Sequence, residues 1–127
     1  MIQNKFTAAP IWQGSTLCVM LSAYWADGAT LVTQSSLSAI TRQVSCLVEG
    51  VWQTLAADTL TISAVISNTL QIANGWNVDS SGYNLRDVVP AARFSNIGTT
   101  CIVYTLTGTD GTVSVIEVQT QVQAPLS

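Results

Sequence analysis

The chain has 127 residues, 48% hydrophobic and only 9% charged, with no histidine and a net charge of −3. That length builds one domain with a core that needs no metal or disulfide staple. The four cations, Lys5, Arg42, Arg86 and Arg93, form no stripe, which argues against a nucleic-acid or membrane-surface partner, and no apolar run reaches bilayer-spanning length.

In chain order, residues 1–12 read as an extended N-terminal arm or edge segment, broken at Pro10, whose ring cannot donate to a strand ladder. Ser15 to Trp25 is a nearly continuous apolar run. Asp27-Gly28 then supplies a turn, Leu31-Val32-Thr33 continues as a second strand, and Ser35-Ser36 is a loop. Ile40 to Glu49 alternates as a half-buried strand, with Ile40, Val44, Cys46 and Val48 on one face and Arg42 interrupting it. Gly50 ends that strand and Val51-Trp52-Gln53 pairs back. Leu60 to Ile66 alternates again and predicts another strand. Asn74-Gly75 is a strong two-residue hairpin signal, which makes Leu70–Ile72 and Trp76–Val78 partners. A tract from Tyr83 to Val89 closes at Pro90, and Pro90 to Phe94 holds one helical turn. Cys101 to Thr107, a Gly108-Thr-Asp-Gly turn and Thr112 to Val122 form the last hairpin. The alternation of its return strand changes phase between Val115 and Ile116, which predicts a β-bulge there. Residues 123–127 form a C-terminal tail. Short strands between regular turn signals predict an all-β fold, an immunoglobulin-like antiparallel β-sandwich with Greek-key connections, in one domain over residues 1–127.

Chemistry is sparse. Without histidine, neither the three cysteines nor the serines have a recognisable base, and no Asp-rich loop predicts a calcium site. The sequence therefore predicts no catalytic residue, no cofactor and no metal ligand. Cys18, Cys46 and Cys101 read as reduced, buried small hydrophobes, with a Cys46–Cys101 bridge as the alternative. The tryptophans at 12, 25, 52 and 76 read as core or interface residues, with sugar stacking as the alternative, and Trp76 has the best case for a core role. The N-terminus lacks the pattern of a secretory signal, which predicts synthesis in the cytoplasm. A surface kept soluble by Ser, Thr, Gln and Asn resists association weakly and suits a subunit covered by its neighbours.

One stretch is distinctive: Trp76-Asn-Val-Asp-Ser-Ser-Gly-Tyr-Asn-Leu-Arg-Asp-Val-Val-Pro-Ala-Ala-Arg-Phe94, followed by a Tyr-containing strand, a Thr-Asp-Gly turn and a strand with Glu117-Val118. It resembles a group of small tailed-phage and prophage proteins of immunoglobulin-like build. Their pattern is Trp-x-Val-Asp-x-x-Gly-Tyr-Asn-Phe-Arg, then Val-Pro-Ala, a Phe and a hairpin with a Gly turn. The resemblance covers the C-terminal two-fifths of the chain; Leu85 stands in place of the Phe and Asp87 in place of a frequent His. It implies a virion protein, and within that a capsid decoration (cement) protein contacting the major capsid protein or neighbouring virion proteins. A homo-oligomer is implied too, a trimer at local three-fold positions being one form. A head–tail connector, neck or tail accessory protein is the nearest alternative, and a carbohydrate-binding or adhesion module comes from a different class. The motif reads as a structural corner of Trp76, Asp79, Gly82, Tyr83, Arg86, Pro90 and Phe94. In it Gly82 permits the turn, the Tyr83 hydroxyl meets a backbone group, Arg86 clamps Asp79 or Asp87, and Val88, Val89 and Phe94 pack the corner. Phe6, Pro10 and Trp12 are the expected interface residues of the arm.

Overall fold

The computed structural model describes residues 4–25, 28–76 and 80–124. Among the described residues nine strands form two sheets that pack face to face. The strands are β1 (Asn4–Thr7), β2 (Ile11–Trp12), β3 (Leu17–Leu21), β4 (Leu37–Val48), β5 (Val51–Thr59), β6 (Ile66–Gln71), β7 (Tyr83–Val89), β8 (Gly98–Gly108) and β9 (Val113–Gln123). A helical turn, α1 (Ile62–Val65), and 3₁₀ turns at Gln34–Ser36 and Ala91–Phe94 lie between them. The larger sheet has the order β1-β9-β8-β4-β5, with β2 also on β9; the smaller is β3-β7-β6. The chain crosses between sheets after β2, β3, β5 and β7, which is the Greek-key order of an immunoglobulin-like sandwich with an extra strand, β5, on its larger sheet. The core between the sheets includes Val19, Leu21, Ile40, Val44, Leu85, Phe94, Ile102 and Leu106. The chain is all-β in class.

Turn chemistry explains the sharp reversals. Glu49 and Gly50 both have positive φ (52° and 80°), as do Asn74 and Gly75 (58° and 81°), the backbone that a two-residue hairpin requires. The first pair joins β4 to β5. The second does not join the expected partners: β6 pairs with β7, with Gln71 opposite Tyr83, and Trp76 lies outside any strand. Residues 77–79, the rest of the expected partner strand and Asp79 of the corner, lie outside the described residues. So does Asp27 of the first expected turn.

Three further expectations give way. Leu60–Ile66 is not a strand throughout, because Ile62–Val65 closes a helical turn that carries the chain from the larger sheet to the smaller and buries Val65. The apolar run from Ser15 yields only five strand residues; beyond it Tyr24 and Leu31 form an isolated bridge in place of a second strand. The pairing of β8 with β9 is regular from Gly98↔Val122 to Thr107↔Val113, with no bulge at Val115. Ser114 instead takes the inward position in line with Ile116, Val118, Thr120 and Val122, and Val113 turns outward.

The N-terminal arm is part of the sandwich. Asn4–Thr7 and Ile11–Trp12 run parallel to β9, with Phe6 opposite Val118 and Ile11 opposite Val122. Ala8 N–H donates to the Gln119 carbonyl (2.8 Å), the Thr120 hydroxyl donates to the Ala9 carbonyl (2.8 Å), and Ala8 and Ile11 pack on the core.

Candidate functional site

Convergent polar groups on the described residues lie inside the sandwich. Arg42 sits on the inward face of β4, in one row with Asp58 of β5 and Tyr104 of β8. Asp87 of β7 meets them from the opposite sheet. Arg42 Nη1 donates to both carboxylate oxygens of Asp87 (2.8 Å each), and the Tyr104 hydroxyl donates to Asp87 Oδ2 (2.6 Å). Arg42 Nη2 donates to Asp58 Oδ2 at 3.1 Å, and Arg93 Nη2 donates to the same carboxylate at 3.1 and 3.3 Å. Burial works against the charge of Arg42, but the Asp87 and Asp58 carboxylates outweigh it and hold the guanidinium more firmly protonated than usual. The Arg93 and Arg42 hydrogen bonds pull the Asp58 carboxyl below its ordinary range. Burial, then the adjoining Asp87 charge, pushes the Tyr104 phenol upward. Asp87 and Arg42 are both buried, and a single guanidinium nitrogen spans both carboxylate oxygens, while Arg42 Nε meets no partner among the described residues. This geometry joins the two sheets.

This network corrects the reading of the motif. Asp87 is held by Arg42, forty-five residues away, and Arg86 is exposed on β7. Two adjacent residues of a strand point to opposite faces, so Arg86 cannot clamp Asp87. Val88 is likewise outward, 49% exposed, and does not pack the corner. Tyr83 does bury its ring, but its hydroxyl accepts from the Asn74 side-chain amide (2.6 Å), not from a backbone group. Gly82 has φ +101°, and a Cβ there would run into the backbone carbonyl of Gln71. Trp76 is partly buried and tilts against Tyr83 at 5.5 Å, outside the core. Phe94 is fully buried, after exposed Pro90, beyond the far end of β7. The motif is therefore spread over both ends of one strand instead of gathered into a corner.

Asn84, within the motif, has a role that sequence did not reveal. Its side chain is fully buried; Oδ1 accepts from Ala23 N–H (2.6 Å), and Nδ2 donates to the carbonyls of Ala23 (3.0 Å) and Val32 (2.8 Å). It replaces the strand pairing that the chain loses after Leu21.

The cysteines divide. Cys46 faces inward, accepting from the Asn96 amide at 3.3 Å. Cys101 faces the outer side of the same sheet and donates to Glu117 Oε1 at 2.9 Å, with Lys5 3.4 Å from the other Glu117 oxygen. Burial, then the Glu117 hydrogen bond and charge, pushes the Cys101 thiol up to about 12. The Cys101 hydrogen bond and Lys5 hold Glu117 below its usual range. Opposite faces rule out a Cys46–Cys101 bridge, and all three thiols are free. Cys18 is exposed, contrary to expectation, because β3 turns Val19 and Leu21 inward and Cys18 outward. Among the described residues no three His, Cys, Asp or Glu side chains gather where a metal ion could sit.

The surface presents apolar side chains instead. Phe6 is 37% exposed, and Trp12 and Trp52 are about half exposed. Trp12, opposite Gln123, and Trp52, opposite Leu47, lie on the outer face of the larger sheet at its two edges. Four strand spacings, ~19 Å, separate them, so they form no adjoining stacking platform. Pro10 is exposed in the link between β1 and β2. The structure thus brings Phe6 to the inner side of the sheet edge and Trp12 to the outer side. No protein-family model matches the chain, and no curated protein is similar enough to it to count as a relative.

Proposed function

We propose that this chain is a structural subunit of a tailed-phage virion that works through protein–protein contacts, bound to the head as a capsid decoration protein. The observation that carries the reading is an inversion of the usual division of labour. The polar groups able to do chemistry, Arg42, Asp58, Asp87 and Tyr104, are spent on joining the two sheets, while Phe6, Trp12, Trp52 and Leu55 are left at the surface along sheet edges. With 9% charged residues, little opposes the burial of such a surface against neighbours. The Trp76–Phe94 resemblance supplies the kind of assembly, and with it the major capsid protein or neighbouring virion proteins as partners, further copies of the chain in a homo-oligomer, a trimer being one form, and the virion as location.

Quantitative mass spectrometry of purified particles tests this. Copies in proportion to the capsid subunits are expected. A single ring's worth would move the protein to the neck or tail, since symmetric rings fix small copy numbers. Absence from particles would overturn the reading.

A further inference from the structure

On the side of the sandwich where β1 and β3 lie, the two sheets do not close on each other. A cavity of about 390 Å³ separates their edges, lined by Phe6, Ala8 and Val118 of the larger sheet and by Val19 and Leu21 of the smaller, with Trp76 also in its wall. Phe6 explains the gap. It pairs with inward-facing Val118, a core position, yet is 37% exposed. The smaller sheet of a constant-type immunoglobulin sandwich has four strands, the first of them beside the strand that corresponds to β3. Here the N-terminal segment runs along β9, and β3 is the edge of a three-stranded sheet.

That edge also lacks the devices that usually blunt one. β5 carries a register shift opposite Val44/Ser45, β1 is four residues long and carries Lys5, and the β6 pairing is irregular. β3 pairs with β7 in unbroken register over Leu17–Leu21 and has no charge and no proline. A strand so placed turns alternate N–H and C=O groups away from its single partner.

We propose that the slot between β1 and β3 accepts one extended, uncharged segment of a neighbouring subunit. The segment adds to β3 as the fourth strand of the smaller sheet and sends alternate apolar side chains onto Phe6, Val19, Leu21 and Val118. Strand addition of this kind takes affinity from main-chain hydrogen bonds and specificity from the pockets for alternate side chains. The volume is that of a specific binding site, and the strand edge along one wall favours an extended chain over a compact ligand. Among the described residues no Asp, Glu, Lys or Arg lines the slot, so a charge on an inward side chain would meet no counter-ion from them. Only the source of the segment, a neighbouring subunit, rests on the assembly reading.

Cys18 is a built-in reporter, exposed at the rim of the slot while Cys46 and Cys101 are buried. The probe is an acetylated and amidated heptapeptide, Thr-Val-Thr-Val-Thr-Val-Thr, added to the full chain. At about 1 mM, roughly tenfold above a Kd of ~0.1 mM, it is expected to slow maleimide labelling of Cys18 ~10-fold, the effect of ~90% occupancy, and to raise the melting temperature. The peptide with Lys in place of each Val does neither. Phe6→Lys abolishes both effects and Phe6→Leu keeps them. Equal protection by the Lys peptide, or none by the Val peptide with the unaltered chain, overturns the proposal. Absence from particles would sink the virion assignment and leave this result untouched.

Discussion

The sandwich meets itself in two contrasting ways. Around Arg42 the sheets are locked by a buried ion network, with Asp87 bridging from β7 to Arg42 and Tyr104. Between β1 and β3 they stand apart over an apolar slot. An ordinary domain closes its apolar positions first and leaves its charges in water. Here a charge pair takes the centre, and Phe6, a core position by register, is left at an opening. The locked side needs nothing from outside, whereas the open side is a core lacking one strand.

The largest expected effect breaks the locked side. Asp87→Ala leaves the buried Arg42 guanidinium only its partly exposed Asp58 partner and should cost up to ~3–5 kcal/mol, a large part of the ~5–15 kcal/mol that holds a domain together. Replacing the group together, with Arg42→Met, Asp87→Leu and Tyr104→Phe, should cost far less, because no charge is then left unpaired in the core. Urea unfolding followed by tryptophan fluorescence gives both values. If the single and triple variants lose equal stability, the network contributes packing alone and the contrast with the slot fails.

The next effect falls beside the slot. Gly82 joins the Trp76–Tyr83 contact to β7, and its carbonyl accepts from the hydroxyl of Ser22, a slot residue (2.9 Å). Gly82→Ala forces a side chain at φ +101° into the Gln71 backbone. A loss of ~2–3 kcal/mol is expected, read from the same unfolding curves, with faster maleimide labelling of Cys18 as the slot wall shifts. A neutral Gly82→Ala would show that the wall is pliable.

These residues also mark what sequence could and could not supply. Alternation and turn residues located β4, β7, β8 and β9, because local period and Gly or Pro punctuation decide strand limits. Arg42 broke an apolar face, and that break was the signal of the network; its partner lies forty-five residues away, and a single sequence carries no pairing information over that distance. Leu60–Ile66 alternates as a strand would, but the crossing between sheets requires a helical turn there. At Ser114 hydrophobicity misled, since the regular ladder with β8 outweighs the preference of Val113 and Val115 for the inside. The slot was invisible because it depends on which strand the arm joins, and Phe6 alternates with polar neighbours beside either.

Acid should loosen the locked side more gradually. Arg93 and Arg42 hold the folded-state Asp58 pKa below its unfolded value. Its contribution is therefore present above the unfolded value, about 3.9, and is lost as pH falls through the lower folded value. Melting temperatures taken downward from about pH 5 should fall more steeply in the unaltered chain than in Asp58→Asn. Parallel curves would mean that Asp58 is not coupled to the fold through Arg93 and Arg42.

The smallest effect has the opposite sign. Ser114 is fully buried in the inward row of β9, and its hydroxyl has no hydrogen-bond partner among the described residues. A buried hydroxyl without a partner opposes folding, and nothing else is lost when it goes. Ser114→Ala should raise stability by ~0.5–1 kcal/mol, the reverse of the response at Asp87, whose oxygens are all engaged. The same core then contains polar groups that hold it together and polar groups that it merely tolerates, and the completeness of their hydrogen bonding separates the two kinds. A loss of stability in Ser114→Ala would mean that the hydroxyl has a partner after all, as the buried Asn84 amide does.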